Sequence, residues 1–267
     1  MTFIQLFEQF QKMYGQDHNP IFFDIVFYLS KWVKDKNKFL ESRNLKLDFS
    51  SRKFFRLCNQ YFKKEKPLAH ITGHAMFCGL DMQIKKHVLA PRDITEQMTL
   101  DFINAHKNDT GVLLDLCCGS GCIGIAIKKH LPMFNVTCVD KYWGPIFNTF
   151  ANANKHKAQI IIDRKDAIRY LYKQGRVDYL ISNPPYIDSS NFRNIKMFKW
   201  ENRNALIGKD NGLHFYKKYF AWLNTHDFKE AWLEIGYDLV PKLRQEIAKF
   251  PSINATFCEK GYLVVKK

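Results

Sequence analysis

The stretch VLLDLCCGSGCIGIAIKKH, residues 112–130, decides the fold. It opens with a short apolar run, passes through a glycine-rich turn and ends in residues with helical spacing. A strand that runs through a tight glycine turn into a helix is the repeating element of parallel α/β sheets. The stretch therefore predicts an α/β protein with a ligand site at the carboxyl end of this strand.

The rest of the chain after about Thr99 repeats this alternation of apolar runs and helical stretches. Further strands are predicted at residues 136–140, 160–162, 177–181 and 231–235. The tail INATFCEKGYLVVKK, residues 253–267, predicts two strands joined at Lys260 and Gly261. The pattern indicates a doubly wound, Rossmann-like α/β sheet that is mostly parallel, with one antiparallel strand at its edge.

The part of the chain before Pro67 has a different pattern. Apolar residues recur there at helical spacing, which predicts several amphipathic helices. Residues 70–93, HITGHAMFCGLDMQIKKHVLAPRD, contain short β-type pieces broken by Gly73 and Gly79 and predict a hairpin. We therefore expect a helical domain at 1–68, a β-hairpin linker at 69–98 and an α/β domain at 99–267.

Composition narrows the class of protein. With 267 residues, 46% of them hydrophobic, the chain is able to bury a sizeable core, which excludes wholesale disorder. The net charge of +15 suggests an acidic partner, although the lysines are scattered and a base-biased genome would also produce them. No apolar run is long enough for a signal peptide or a membrane span, so a cytoplasmic location without membrane contact is expected.

The cysteines carry little functional signal. The chain has seven, without two matched C-x-x-C pairs. We interpret Cys117, Cys118 and Cys122 as packing residues in a reducing compartment and expect no metal.

Polar residues follow four successive predicted strands. They are Asp115 with the glycine turn, then Asp140, then Asp163 and Asp166, and then Asn183. Because the carboxyl ends of parallel strands meet at one edge of the sheet, these side chains are expected to surround one ligand.

The glycine turn leaves two cofactor classes open. Gly119, Gly121 and Gly124 match G-x-G-x-x-G, and Asp140 lies 19 residues after Gly121, which also suits an NAD(P) oxidoreductase. Asp115 favours S-adenosylmethionine, because a carboxylate there repels a pyrophosphate and attracts a sulfonium and an ammonium group. Asp166 is positioned to accept a hydrogen bond from an adenine amino group, or simply to cap a helix.

The segment SNPPY, residues 182–186, either ends a strand or holds a substrate. Its prolines fix the backbone in advance, so that the Asn183 side-chain oxygen and the Pro184 carbonyl are able to accept from one NH2 group. Such acceptors orient the poorly nucleophilic nitrogen of an amide or aromatic amine towards a methyl donor. Tyr186 is suited to stack on the flat substrate.

Several stretches together resemble a known family. DLCCGSGCIG (115–124), SNPPYI (182–187) and LEIGYD (233–238) are similar to the release factor glutamine methyltransferases, the PrmC/HemK family. The resemblance extends through KPLAHITGHAMFCGLDMQIKKHVLAPRDITE (66–96) and ENRNALIGKDNGLHFY (201–216) to nearly the whole chain. NPPY alone is shared with amino-methyltransferases of adenine or guanine, so the flanking stretches carry the assignment.

The resemblance implies a class I methyltransferase sheet with a small N-terminal helical domain that binds the substrate. The implied reaction transfers a methyl group from S-adenosylmethionine to the glutamine amide nitrogen of the GGQ motif in peptide chain release factors, leaving S-adenosylhomocysteine. Asn183, Pro184 and Tyr186 are the predicted catalytic residues. The predicted cofactor residues are Arg92, Asp115, Gly119, Ser120, Gly121, Asp140, Asp166 and Asn183. The predicted substrate residues are Phe77, Asn183, Pro184, Pro185, Tyr186 and Glu234.

The sequence departs from the family pattern at several positions, and some predicted site residues have a second interpretation. Cys117 and Cys118 replace a glycine and a threonine, and RDITE replaces RPETE. Phe77 also suits hairpin core, while Glu234 and Arg92 also suit solvated charges. The rival functions are a nucleic-acid amino-methyltransferase and a non-catalytic, translation-associated binding protein. We expect a monomer without a stable nucleic-acid partner.

Overall fold

Two compact units divide the chain, Met1–Gly73 and His74–Lys267. The structure is a computed structural model and describes residues 1–189 and 200–267. The boundary falls after the short helix Leu68–Thr72, so the predicted hairpin belongs to the second unit. Within the described residues, no helix has the length and apolar character needed to cross a bilayer.

The first unit is helical, as the spacing predicted. A capping box between Thr2 and Gln5 begins its first helix, and the Ser50 side chain caps the fourth. Phenylalanine rings, among them Phe10, Phe22 and Phe54, are fully buried and meet largely edge-to-face. The helices are α1 (Phe3–Tyr14), α2 (Asn19–Leu29), α3 (Lys36–Ser42), α4 (Ser51–Phe62) and α5 (Leu68–Thr72).

The second unit opens with a β hairpin and continues as alternating strands and helices. The hairpin strands are β1 (His74–Phe77) and β2 (Leu80–Gln83). The strands of the main sheet are β3 (Gly111–Leu116), β4 (Phe134–Asp140), β5 (Ile161–Arg164), β6 (Tyr179–Ser182), β7 (Glu230–Glu234), β8 (Asn254–Cys258) and β9 (Tyr262–Lys266). The helices are α6 (Asp93–Ala105), α7 (Cys122–His130), α8 (Trp143–His156), α9 (Ala167–Leu171), α10 (His214–Thr225) and α11 (Val240–Ile247).

The sheet has the strand order β5-β4-β3-β6-β7-β9-β8. The strands from β5 to β7 pair in parallel, which confirms the predicted fold class. The order reverses between β3 and β6, so the chain leaves β3 and β6 in opposite directions along the sheet. A crevice at their carboxyl ends follows from that reversal.

One strand, β9, runs antiparallel, and its position differs from the prediction. It lies between β7 and β8 rather than at the edge. The connection through α11 carries the chain beyond the neighbouring position to β8, and the tight turn at Gly261 then returns β9 into the gap. The edge strand β8 therefore runs parallel to β7.

Two asparagines of α8 attach the hairpin to the sheet unit. The Gln83 amide donates to Asn152 Oδ1 at 2.7 Å, and the Lys85 amide donates to Asn148 Oδ1 at 2.7 Å. Asn152 Nδ2 donates in turn to the carbonyls of Gln83 and Ser120 at 3.0 and 2.9 Å. Both asparagine side chains are buried, and their amide groups pair with backbone groups of the segment that follows the hairpin and of the glycine turn.

Replacing Asn152 by alanine is expected to lower the free energy of unfolding by about 2 kcal/mol, because the Gln83 amide and the Ser120 carbonyl lose their hydrogen bonds to its side chain. Asn154→Ala, an exposed position on the same helix, is the control and is expected to change it by less than about 0.5 kcal/mol. Urea denaturation followed by circular dichroism measures both. Equal losses in the two variants would contradict this account of the hairpin.

Candidate active site

The glycine turn after β3 leaves an open space and closes against α8. Gly121 has φ 77° and precedes α7, and a β-carbon there would lie 2.6 Å from the Thr149 side chain. Gly119 has φ 58°, and no heavy atom lies within 4 Å of where its β-carbon would be. The turn therefore needs glycine at residue 121 for packing, whereas residue 119 borders empty space.

Cys117 takes a conformation that usually belongs to glycine. Its φ is 62°, which costs a residue with a β-carbon roughly 1 kcal/mol. The substitution seen in the sequence therefore leaves the path of the turn intact at an energetic cost. Cys118 and Cys122 are buried, as expected for packing residues. In residues 1–189 and 200–267, no cluster of metal-ligating side chains is present.

A first cavity of about 350 Å³ lies at the carboxyl ends of the strands. Gly119, Asp140 and Asp166 line one part of it, and Asn183 and Pro185 another. The four strand ends singled out in the sequence therefore lie near one another.

Asp140 is held by backbone donors. The Gly119 amide donates to one oxygen at 3.1 Å and the Tyr142 amide to the other at 3.0 Å. Burial raises the pKa of Asp140 above its ordinary value. Each oxygen keeps a lone pair for a further donor, so the carboxylate is able to accept two hydroxyl groups.

Asp166 caps a helix, as one of its two predicted roles required, and the adenine contact stays a prediction. Its side chain caps α9 by accepting from the Arg169 amide at 3.2 Å, and it also lines the first cavity. Lys141 lies 3.7 Å away.

Asp115, Ser120 and Gly121 lie behind the turn rather than on the wall of the cavity. Asp115 is fully buried, and its Oδ2 accepts from the Gly124 amide at 2.9 Å. Its Oδ1 has no hydrogen-bond partner among the described residues, and burial raises the pKa of Asp115 to about 7. Ser120 is also buried, and its carbonyl accepts from Asn152.

A second cavity of about 370 Å³ adjoins the first. Arg92, Pro184, Tyr186 and Glu234 line it. Leu89, Asn183 and Ala205 line both cavities. Asn183 is therefore the amide-bearing residue in the wall that the two cavities share.

A chain of hydrogen bonds connects the NPPY segment to β7 and α6. Tyr186 donates its hydroxyl to Glu234 Oε1 at 3.1 Å, and Thr95 donates to Glu234 Oε2. Asn183 Nδ2 donates to Thr95 Oγ1 at 3.1 Å. Glu234 is buried, not solvated, and desolvation raises its pKa. Burial and the neighbouring Glu234 likewise raise the pKa of Tyr186.

Two predicted site residues lie elsewhere than expected. The Arg92 guanidinium forms an ion pair with buried Glu201 and lines the second cavity, not the first, so its predicted contact with the cofactor lacks support. Phe77 is fully buried and lines neither cavity. The next amide, of Cys78, donates to Glu96 at 2.6 Å, which holds this end of the hairpin against α6 and places the ring in the interior.

Thr95 and Glu201 contact the site but were not predicted as site residues. Both lie in stretches that carried the family resemblance, RDITE and ENRNALIG. Their partners are 88 residues away for the Thr95–Asn183 pair and 109 for the Glu201–Arg92 pair. Spacing along the chain contains no signal for such contacts.

Comparison with known sequences decides the family. Residues 91–199 match the family model named Methyltransferase small domain. The chain is 35% identical over 199 residues to a release factor glutamine methyltransferase of Clostridium botulinum, covering 70% of this chain and 68% of that protein. The chain belongs to the release factor glutamine methyltransferase family. The family predicted from the sequence is thereby confirmed.

Other members of the family support the assignment with different coverage. The Staphylococcus aureus member is 30% identical, covering 74% of this chain and 73% of that protein. The Geobacter sulfurreducens member is 35% identical over 156 residues, which are 58% of this chain. The alignments span only 54% of that relative and 60% of a Chlamydia trachomatis one.

Solved structures agree on the fold. The hMettl16 catalytic domain, solved in complex with a MAT2A 3'UTR hairpin, has a TM-score of 0.54 at 11% identity, with 80% of each chain covered. A methyltransferase from Pyrococcus furiosus has a TM-score of 0.51 at 16% identity, covering 82% of this chain and 99% of that one. At these identities the likeness concerns the fold alone.

The residues around the first cavity fit the cofactor that the family implies, S-adenosylmethionine. Asp140 offers two carboxylate oxygens to a ribose diol, and Gly119 borders open space at the turn. Asp115 places an unpartnered carboxylate oxygen behind the turn, which suits a cationic amino acid portion. A pyrophosphate would be repelled there, so the residues disfavour a dinucleotide.

Asp115 is expected to make stability depend on pH in the absence of cofactor. Burial raises the pKa of Asp115 in the folded protein to about 7, so the stability that its protonated form contributes is present below about pH 4 and is lost as pH rises through 7. Asp115→Asn, a neutral isostere, is therefore expected to gain a few kcal/mol over the wild type between about pH 4 and pH 8. Urea denaturation at several pH values measures the difference. Exposed Asp17→Asn is the control, and a constant difference for Asp115→Asn would contradict the expectation.

Proposed function

We propose that this chain transfers a methyl group from S-adenosylmethionine to the side-chain amide nitrogen of the GGQ glutamine in peptide chain release factors. Family membership supports the reaction class and the substrate. The observation that carries the proposal is the position of Asn183 in the wall shared by two cavities, with Pro184 and Tyr186 on one side and Gly119 and Asp140 on the other.

The proposed roles assign one cavity to each reactant. Gly119, Asp140 and Asp166 hold the cofactor in the first cavity, with Asp115 behind the turn. Bound there, S-adenosylmethionine supplies an electrophilic methyl group. Pro184, Tyr186 and Glu234 surround the glutamine side chain in the second cavity.

Asn183 and Pro184 solve the main chemical difficulty, the delocalised lone pair of an amide nitrogen. Their two oxygens accept the two N–H hydrogens, which aims the nitrogen at the shared wall and stabilises positive charge that develops on it. The new N–C bond forms as the S–C bond breaks, and one N–H proton then leaves to solvent. Tyr186 limits the glutamine to a flat slot against its ring.

The first unit, Met1–Gly73, is proposed to bind the body of the release factor, as the sequence predicted for residues 1–68. A cavity of about 580 Å³ in this unit supports that role, because Arg52, Arg56 and Lys64 line it and no carboxylate does. Such a surface suits acidic segments of a protein. We further propose a cytoplasmic monomer without a stable nucleic-acid partner.

A methyl-transfer assay tests the proposed substrate. Labelled S-adenosylmethionine is incubated with the protein and an intact release factor, a release factor whose GGQ glutamine is replaced by alanine, bare RNA or bare DNA. We expect label in the intact release factor alone. Label in either nucleic acid would support the amino-methyltransferase of bases that the +15 charge also suits, and an unlabelled release factor would refute the proposal.

Replacing Asn183 by alanine tests the proposed acceptor. We expect the methylation rate to fall by roughly a hundredfold or more, as for loss of one preorganised polar group at a reacting centre. Cofactor affinity, measured by isothermal titration, is expected to stay nearly unchanged. Exposed Asn154→Ala is the control. A variant that loses cofactor binding in step with its rate would contradict the role given to Asn183.

A further inference from the structure

Thr95 forms hydrogen bonds with both Asn183 and Glu234. It lies in the first turn of α6 and is buried. Its hydroxyl donates to Glu234 Oε2, and the same oxygen accepts from Asn183 Nδ2 at 3.1 Å. Thr95 therefore connects a carboxylate of β7 to the amide that follows β6.

The number of available protons determines which group donates and which accepts in each of these hydrogen bonds. Two hydroxyls, from Thr95 and Tyr186, converge on the two oxygens of Glu234, an arrangement that suits an acceptor-only carboxylate. A threonine hydroxyl has one proton, and in Thr95 that proton forms the hydrogen bond to Glu234. The Thr95 oxygen is then only an acceptor towards Asn183.

This direction determines which end of the Asn183 amide faces Thr95. The NH2 end meets an acceptor there, whereas a flipped amide would place its oxygen against the Thr95 oxygen with no proton between them. The flip would lose this hydrogen bond and set the lone pairs of two oxygens against each other, which costs about 1 kcal/mol or more. The unflipped orientation leaves Asn183 Oδ1 for the cavities.

We infer that Thr95 is a positioning residue, which orients the Asn183 amide so that its oxygen and not its nitrogen meets the substrate NH2 group. The inference rests on the proposed function and deepens it. With the amide fixed in this way, the site accepts hydrogens from the substrate nitrogen, so it selects an NH2 group, which the glutamine side chain supplies. A flipped Asn183 would present N–H groups to the substrate N–H groups and would repel them.

Thr99 provides a matched control within the same helix. It lies one turn after Thr95, is fully buried, and donates its hydroxyl to the Thr95 carbonyl at 2.8 Å. That bond stays within α6 and reaches neither Asn183 nor Glu234. Valine has nearly the same shape as threonine, so the substitution at either position removes one buried hydroxyl and changes the packing little.

The kinetic experiment compares Thr95→Val, Thr95→Ser and Thr99→Val with the wild type on a release factor. We expect kcat of Thr95→Val to fall by roughly tenfold to a hundredfold, with KM for both reactants within about twofold of the wild type. Thr95→Ser keeps the hydroxyl and is expected to recover most of the rate, and Thr99→Val to stay near the wild type. An unchanged kcat in Thr95→Val, an equal loss in Thr99→Val or no recovery in Thr95→Ser would overturn the inference.

A second measurement does not depend on methyl transfer. The Asn183 side-chain NH2 signal, identified by its loss in Asn183→Ala, is followed by NMR in the protein without ligands. We expect its hydrogen exchange to be at least tenfold faster in Thr95→Val than in the wild type and in Thr99→Val. Equal exchange in all three would overturn the inference. An inactive wild type with the expected exchange pattern would instead refute the proposed function alone.

Discussion

The hydrogen bond from the Gly119 amide to the Asp140 carboxylate joins the ends of β3 and β4, and the rest of the site is arranged around it. Neighbouring backbone bonds extend this junction, from Cys118 to the Val139 carbonyl and from Lys165 to the Asp140 carbonyl. Three strand ends are thereby held in register at one edge. The Asp140 carboxylate is buried, so its stability depends on these backbone donors. The carboxylate also fixes the path of the glycine turn by accepting from it.

Much of this arrangement was predictable from local pattern. The alternation of apolar runs, the glycine turn and the polar strand ends indicated the sheet and the position of the site, because each is a property of adjacent residues. The ion pair of Arg92 with Glu201 and the position of Thr95 depend on contacts between distant segments. The burial of Phe77 and the insertion of β9 inside the edge likewise depend on how segments pack, which spacing does not encode.

Two energetically unfavourable features lie at the glycine turn after β3. Cys117 has a positive φ, and Asp115 buries a carboxyl with one unpartnered oxygen. A protein selected for stability alone would remove both. Cys117 lines the first cavity and Asp115 lies behind the same turn, which agrees with a site that is complete only when a polar, partly cationic ligand is bound.

The wall shared by the two cavities has a kinetic consequence. On the proposed roles, the two reactants occupy separate compartments that meet only at the reacting atoms, near Asn183. The two reactants are then able to bind in either order and to dissociate in either order. Such a plan suits random-order turnover, in which a spent cofactor is exchanged while a large protein partner is still docked.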